Sequence, residues 1–395
     1  MELSVTHKSS NKSKIIIGII AALTLASGVL IGKYYFGNNP QINNFTTIAD
    51  KQESQQQISN DRQTAITRAI GKVENAIVGI NVEEVREVRN PFFDDPFFRQ
   101  FFGNQGNQKQ VVRGLGSGFI ISPDGYIITN DHVAGNATKI SVTLTTGETV
   151  QAKLIGNDPT TDIALLKIDK ENLPFIPFGN SDNILIGEWV IALGNPFGLF
   201  EINDKPTVTV GVVSATDMKV QADGNRVYKN MIQTDASINS GNSGGPLIDT
   251  DGNVIGMNTI IYTGGQFSSG SIGVGFSIAI NRVKKIVDEL KSKGKIERNF
   301  NVGFNIQGID DNIAKYLGLK DNNGVVVTQV LRGSISDKAG LKVEDVITEV
   351  NGIKIRNQQD IVYEINDMRV GEKVIMKILR NNSEEKIEMI LEPAN

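Results

Sequence analysis

Cysteine is absent from this chain of 395 residues, which excludes disulfide bonds and thiolate metal sites. Histidine is almost absent too, because the chain has only two, His7 and His132. His7 lies in a basic tail, so His132 is the one histidine available to a folded domain. Metal catalysis would need a richer set of ligands. The sequence therefore predicts no metal site and no bound cofactor.

A surplus of positive charge is also missing. The formal net charge is −4, with 39% hydrophobic and 21% charged residues. These values are typical of a globular protein and give no indication of nucleic-acid binding. The length allows two or three domains. The 40 glycines cluster in turns between short β-like runs, a pattern that favours all-β barrels.

The N-terminal region contains a long apolar run without charge. Residues 1–14 carry three lysines, and the 18 residues from Ile15 to Gly32 carry no charge. That length is sufficient to cross a bilayer, and aromatic residues follow at 34–36. The pattern predicts a cytoplasmic tail over 1–14 and a transmembrane helix over 15–36, with a cleaved signal peptide as the alternative. Residues 37–63, rich in Asn, Gln and Ser, are predicted to be a flexible linker.

The most informative stretch is the loop of residues 235–247, which lies between two apolar runs. Its centre is Gly241–Asn242–Ser243–Gly244. Flanking glycines allow a tight turn that exposes the serine hydroxyl, and the N–H groups of Gly241, Asn242 and Ser243 can converge as an oxyanion hole. The alternative is an ordinary Gly/Ser turn. The stretch thus makes Ser243 a candidate nucleophile.

A serine nucleophile needs a base, and the base needs an orienting acid. His132, at the end of an apolar strand, is the only candidate base. Asp162, at the start of the apolar run Ile163–Ile168, is the candidate acid; the alternative is a solvated turn residue. The order His132, Asp162, Ser243 is that of chymotrypsin-like proteases. We therefore predict these three residues as a catalytic triad.

Four motifs make the resemblance to a known family specific. They are Thr129–Val133, Thr161–Leu165, Gly194–Gly198 and Gly241–Leu247. Together they resemble the motifs of the HtrA (Deg) family, whose members are trypsin-fold serine proteases with PDZ domains. The resemblance implies a mostly β fold, with a chymotrypsin-like double β-barrel followed by one PDZ domain. It also implies proteolysis of misfolded or regulatory envelope proteins by an extracytoplasmic or periplasmic domain.

The domain limits follow from the pattern after residue 63. We predict a protease domain over 64–294, in which a helix over 281–293 is stopped by Gly294. The PDZ domain is predicted over 298–395. Within it, Val302–Gly303–Phe304 resembles the loop that binds a peptide carboxylate, and residues 357–368 are predicted to be the helix that lines the groove.

Substrate preference and regulation are predicted from the resemblance. Six residues before the nucleophile stands Ser237, followed by Ile238, and neither is an acid that would pair with Lys or Arg. Cleavage is therefore predicted after small or medium aliphatic residues. The resemblance further implies activation by C-terminal peptides and a homotrimer or larger assembly. Ser214–Lys219 lacks the arginine that relays activation in many relatives, so the route of activation is open.

Three further interpretations concern the aromatic segment and rival functions. Residues 90–106 contain six phenylalanines, which fit a local hydrophobic cluster or a loop that packs on a neighbouring subunit.

A non-catalytic PDZ scaffold or chaperone is the main alternative function. An esterase of the α/β-hydrolase type would need a helix after the serine, whereas Pro246 and a β-like run follow Ser243.

Overall fold

The computed structural model describes residues 11–36, 62–88, 108–195, 200, 204–220, 226–239, 241–261 and 271–394. The chain divides into two compact units, Met1–Gln63 and Thr64–Asn395. In the described part of the first unit, residues Asn11–Phe36 form helix α1. Among the described residues, no helix is both long and apolar enough to cross a membrane. The linker up to residue 61 and the aromatic segment 90–106 lie outside the described residues.

The second unit begins with helix α2 (Ala65–Val73), which continues as a short 3-10 turn over Glu74–Ala76. The hydroxyl of Thr64 caps it by accepting the N–H of Thr67 at 3.2 Å, which satisfies a donor left free at a helix start. Its apolar side, including Ala69 and Val73, is buried in the core.

Six antiparallel strands close the first barrel, in the order β1-β2-β3-β6-β5-β4. The bounds are β1 (Ile77–Val88), β2 (Gln108–Ile120), β3 (Tyr126–Thr129), β4 (Lys139–Thr143), β5 (Thr149–Asp158) and β6 (Ile163–Ile168). The one-turn helix α3 (Asp131–Ala134) follows β3. Closure removes free sheet edges and directs alternate side chains inward. Apolar side chains of these strands fill the core, and Ile128 and Leu165, which are register partners, are both fully buried.

The second barrel repeats this design, in the order β10-β11-β12-β9-β8-β7. Its strands are β7 (Trp189–Gly194), β8 (Thr207–Val220), β9 (Tyr228–Thr234), β10 (Pro246–Ile248), β11 (Val254–Ile261) and β12 (Gly275–Ala279). Helix α4 (Ile280–Lys293) follows and packs on the core through Val283, Ile286 and Leu290. It ends at Gly294, whose φ of 73° is the left-handed conformation that glycine adopts most readily.

The remaining residues form a six-stranded sheet with three helices. The main strand order is β13-β14-β15-β17-β18, and β16 pairs with β15. The elements are β13 (Phe304–Gly308), α5 (Asp311–Leu317), β14 (Val325–Val330), α6 (Ile335–Lys338), β15 (Val346–Val350), β16 (Ile353–Lys354), α7 (Gln358–Asn366), β17 (Lys373–Arg380) and β18 (Ser383–Ile390). The predicted mostly β fold, a double barrel followed by a PDZ domain, is confirmed.

Ion pairs join this last sheet domain to the barrels. Arg298 pairs with Asp158 at 2.8 Å, and their side chains are only 9% and 2% exposed. Arg282 donates two hydrogen bonds to Asp367, and Lys229 pairs with Glu364 at 2.8 Å. Because buried charges are costly unless paired, these contacts favour one relative orientation of the domains. They place helix α7 beside strand β9 of the second barrel.

Candidate active site

His132 lies in the short helix α3, which begins directly after strand β3 ends at Thr129. Asn130, two residues before His132, is fully buried. Its side-chain amide donates to the main-chain carbonyl of Asp162 at 3.0 Å. This bond ties the end of β3 to the turn before β6. Two segments that are 32 residues apart along the chain are thereby held side by side.

Asp162 occupies that turn with a φ of 61°, and its side chain is fully buried. Its Oδ2 lies 2.8 Å from Nδ1 of His132, and its Oδ1 accepts the main-chain N–H of His132 at 2.9 Å. Since an ionised carboxylate only accepts hydrogen bonds, Nδ1 must carry the proton of a neutral imidazole. The geometry thus assigns the tautomer that leaves Nε2 free to accept a proton.

Other donors help to keep the Asp162 carboxylate ionised. Burial alone would raise its pKa, but hydrogen bonds from His132, its positive charge when protonated, and a bond from the Thr259 hydroxyl outweigh burial and lower the pKa below the ordinary 3.8. The Thr259 and Tyr228 hydroxyls donate to Oδ2 at 2.8 and 2.9 Å. Asp162 therefore stays charged at any pH near neutrality.

The neighbouring acid, Asp131, does not serve the imidazole in this way. Its Oδ1 accepts a hydrogen bond from the side-chain amide of Asn157 at 2.6 Å. Burial raises the pKa of Asp131, whereas that of Asp162 is lowered. Of these two carboxyls, Asp162 is thus the one with the geometry of an orienting acid.

Ser243 lies in a tight turn whose backbone is tied to the first barrel. Its carbonyl accepts the N–H of Ser117 at 3.0 Å, and the Ser117 hydroxyl donates to the carbonyl of Gly241. Gly244 has a φ of 84°, and a Cβ there would lie 2.2 Å from the Ser117 carbonyl oxygen. Only glycine fits such a close approach, so the glycine directly after Ser243 has a steric reason at this site.

The Ser243 hydroxyl donates to the main-chain carbonyl of Thr259 at 3.0 Å. Within the described part of the chain, no hydrogen bond joins it to His132. Both side chains nevertheless line one cavity of about 490 Å³, together with Gly241, Arg226 and Leu115. Rotation of the Ser243 side chain about its Cα–Cβ bond is the simplest movement that would direct the hydroxyl toward Nε2.

The predicted oxyanion and specificity residues occupy different surroundings. Gly241 lines the same cavity, whereas Asn242 is buried and its N–H donates to the carbonyl of Asn239 at 3.0 Å. Ser237 and Ile238 are not among the lining residues of that cavity. Ile238 is fully buried, and the Ser237 carbonyl accepts the Thr209 hydroxyl at 2.7 Å.

The predicted carboxylate loop of the PDZ domain lies immediately before β13. Gly303 has a φ of 76°, and a Cβ there would lie 2.2 Å from Cβ of Ser334. The N–H of Gly303 is taken by the side-chain oxygen of Asn301 at 2.9 Å. An arriving carboxylate would have to replace that oxygen. Along the groove, the side-chain amide of Gln358, on α7, donates to the carbonyl of Ile306 at 3.1 Å.

Three residues at the site were missed by the sequence analysis: Ser117, Tyr228 and Thr259. Ser117 lies in a Gly-Ser-Gly stretch whose pattern alone predicts only a turn. Tyr228 and Thr259 lie in β-like runs with nothing to distinguish them from core positions. Their contacts with the site span 124, 66 and 97 residues of sequence, so no local signal could have identified them.

Comparison with known proteins adds to this geometry. Residues 116–257 match the family model of the trypsin-like peptidase domain, and residues 270–391 match that of the PDZ domain. A probable periplasmic serine endoprotease, DegP-like, from a Marinomonas species is 41% identical over 349 residues, which cover 88% of this chain and 71% of the relative. This chain belongs to the HtrA family of DegP-like serine endoproteases. The family inferred from the four sequence motifs is thus confirmed.

This chain covers some members of the HtrA family almost completely and others only in part. A DegP-like relative from Chlamydia muridarum is 45% identical over 304 residues, and the match spans only 58% of its length. Among solved structures, the HtrA-type protease AlgW with decapeptide is 34% identical, has a TM-score of 0.65, and is covered to 99% by this chain. The serine endoprotease from Yersinia pestis is 29% identical with a TM-score of 0.57.

Proposed function

We propose that this HtrA-family chain is an ATP-independent serine endopeptidase that cleaves misfolded or regulatory proteins of the cell envelope. The observation that carries the proposal is the pairing of His132 Nδ1 with the buried Asp162 carboxylate at 2.8 Å, on the wall of a cavity that Ser243 also lines. A non-catalytic scaffold would have no need for an imidazole oriented by a buried carboxylate. This argues against the alternative function of a PDZ scaffold or chaperone.

The proposed reaction follows the scheme of serine proteases. The Ser243 hydroxyl leaves the Thr259 carbonyl, turns toward His132, and attacks the peptide carbonyl while Nε2 takes its proton. The N–H groups of Gly241 and Ser243 bind the resulting oxyanion, a contribution of about 3–4 kcal/mol per donor in a comparable enzyme. The imidazolium then protonates the leaving amine. Water then hydrolyses the acyl-enzyme, with His132 again acting as the base. Asp162 stabilises the imidazolium during both acylation and deacylation.

The preference for the residue before the cut is proposed to be small or aliphatic: Val, Ala or Ile. The reason is that Ser237, at the position which forms the base of the pocket in trypsin-fold enzymes, offers no charge to bind Lys or Arg. We expect digestion of a permanently unfolded protein to yield fragments ending mainly in these residues, as read by mass spectrometry. A Ser243→Ala digest gives the background. Fragments ending chiefly in Lys or Arg would contradict the proposed pocket.

The PDZ domain is proposed to bind the C-termini of peptides by adding them as a strand beside β13. The N–H groups of Val302–Gly303–Phe304 would hold the terminal carboxylate after displacing the Asn301 side chain. The structure of the HtrA-type protease AlgW with decapeptide supports peptide recognition in a relative. Peptide binding is further proposed to raise peptidase activity, because α7 contacts the second barrel through Lys229 and Glu364.

This regulation can be tested with one peptide in two chemical forms. A peptide that ends in apolar residues with a free carboxylate is expected to bind and to raise kcat. Its C-terminal amide is expected to bind about tenfold more weakly, because a charge-assisted hydrogen bond is lost. Titration calorimetry and a chromogenic peptide assay measure the two effects. Equal binding of the two forms would refute carboxylate recognition by this loop.

We also propose the location and assembly of the chain. The uncharged run 15–32 would anchor it, or act as a signal peptide, with residues 1–14 cytoplasmic and the domains over 64–294 and 298–395 extracytoplasmic. This location is supported by the DegP-like relatives, which are described as probable periplasmic serine endoproteases. A homotrimer or larger assembly is supported by three exposed apolar side chains at the start of β7, Leu185, Ile186 and Trp189, which are 66%, 68% and 56% exposed. Release of the chain from membranes by alkaline extraction would contradict the anchor. A monomeric mass in sedimentation would contradict the assembly.

A further inference from the structure

Tyr228 contacts the candidate active site from strand β9 of the second barrel. It is the first residue of β9 and is only 3% exposed. Its hydroxyl donates to Oδ2 of Asp162 at 2.9 Å, the oxygen that also faces Nδ1 of His132. A phenylalanine would fill the same volume. The hydroxyl is therefore the part of this side chain that needs an explanation beyond packing.

The backbone next to Tyr228 holds its ring in place. The N–H of Val227 donates to the carbonyl of Thr160 at 2.7 Å, so the start of β9 is fixed to the turn that carries Asp162. Adjacent side chains of a strand point in opposite directions. Tyr228 thus points inward to the carboxylate, and Lys229 pairs with Glu364 of the PDZ domain.

We propose that Tyr228 is a positioning residue for catalysis, which fixes the Asp162 carboxylate in the orientation that holds the His132 imidazole. With Thr259, it places two hydroxyl donors on Oδ2 in addition to the imidazole. Two donors and the ring leave this oxygen little freedom to rotate away. The main-chain N–H of His132 restrains Oδ1 in the same manner.

The protonation state of the phenol suits this role. Burial, and then the negative charge of Asp162, raise the pKa of Tyr228 above its ordinary value, so the hydroxyl remains a donor over the working pH range. Arg226 lies on the other side of the carboxylate, with Nε 3.8 Å from Oδ1 and a side chain 36% exposed. At that distance it contributes charge but makes no hydrogen bond.

The inference rests on the proposed peptidase activity, and the test separates the two. Tyr228→Phe removes only the hydroxyl, and Tyr126→Phe removes a hydroxyl from a partly buried ring in the first barrel as the matched control. Both are compared with the parent full-length chain for kcat and KM on a chromogenic peptide, with active sites counted by fluorophosphonate. The proton on Nδ1 of His132 is observed by NMR in a His7→Gln background, where it is the only histidine signal.

For Tyr228→Phe we expect kcat per active site to fall about tenfold with KM unchanged, since a hydrogen bond to a charged group is lost. We also expect the Nδ1 proton resonance to shift. Tyr126→Phe should change neither. A kcat within twofold of the parent together with an unmoved resonance would overturn the inference. If the parent itself is inactive, the proposed function fails, and the resonance alone still decides whether Tyr228 acts on the Asp162–His132 pair.

Discussion

Replacement of Ser243 by alanine is expected to lower the rate of proteolysis by about 10⁴-fold or more. In serine proteases, loss of the nucleophile alone removes nearly all of the covalent mechanism, about 10⁶-fold in one measured case. The side chain is partly exposed on the cavity wall, and its hydroxyl has one described partner, the Thr259 carbonyl. The fold should therefore tolerate the change. The rate is measured on an unfolded protein substrate, with circular dichroism to show that the variant is folded.

Ser292→Ala, on the exposed side of α4, provides the control for this experiment. Its exposed hydroxyl donates to the carbonyl of Glu289 in its own helix, so we expect no change in rate. If Ser243→Ala cleaved the substrate at the rate of the parent, residue 243 could not be the nucleophile. The cavity beside His132 would then need another explanation.

Asp162→Asn is expected to lower kcat by about 10⁴-fold, the effect of the same change in trypsin. An asparagine that turns its NH₂ group toward Nδ1 would force that nitrogen to accept, so the proton would move to Nε2. The ring could then no longer take a proton from Ser243. The buried site would also lose a charge that His132, Thr259 and Tyr228 now satisfy. Steady-state kinetics on a chromogenic peptide measure the effect.

Asp182→Asn tests whether the loss of any carboxylate has the same result. Asp182 is exposed and lies away from the cavity, so we expect activity within twofold of the parent. An Asp162→Asn variant that retained more than a tenth of the parent kcat would show that this carboxylate does not set the tautomer. The stability of both variants should be compared by thermal unfolding.

The barrels could be predicted because their signals are local. The run Ile163–Ile168 is apolar except for Lys167, and it forms strand β6 within the same bounds. Gly294 stops α4 where a left-handed residue is required. The candidate nucleophile, base and acid were identifiable for a different reason. Each belongs to a motif whose residue types serve its chemistry, and the chain has only one histidine outside the basic tail.

The residues that hold Asp162 in place could not be predicted, since they contact it from distant segments of the chain. Thr259 contacts Asp162 across 97 residues of sequence, and Tyr228 does so across 66. The sequence also predicted His132 at the end of an apolar strand, whereas the structure places it in the one-turn helix α3 that follows β3. The sequence pattern also gives no information on the rotamer of Ser243, whose hydroxyl donates to the Thr259 carbonyl. Such features require the three-dimensional fold.

Labelling with a fluorophosphonate tests the central claim most directly, because the reagent reports a serine activated by an adjacent base. The parent chain should gain one label per subunit, and peptide mapping should place it on Ser243. His132→Ala should be labelled at least a thousandfold more slowly. A label on any other residue, or an equal labelling rate in the His132→Ala variant, would contradict the account.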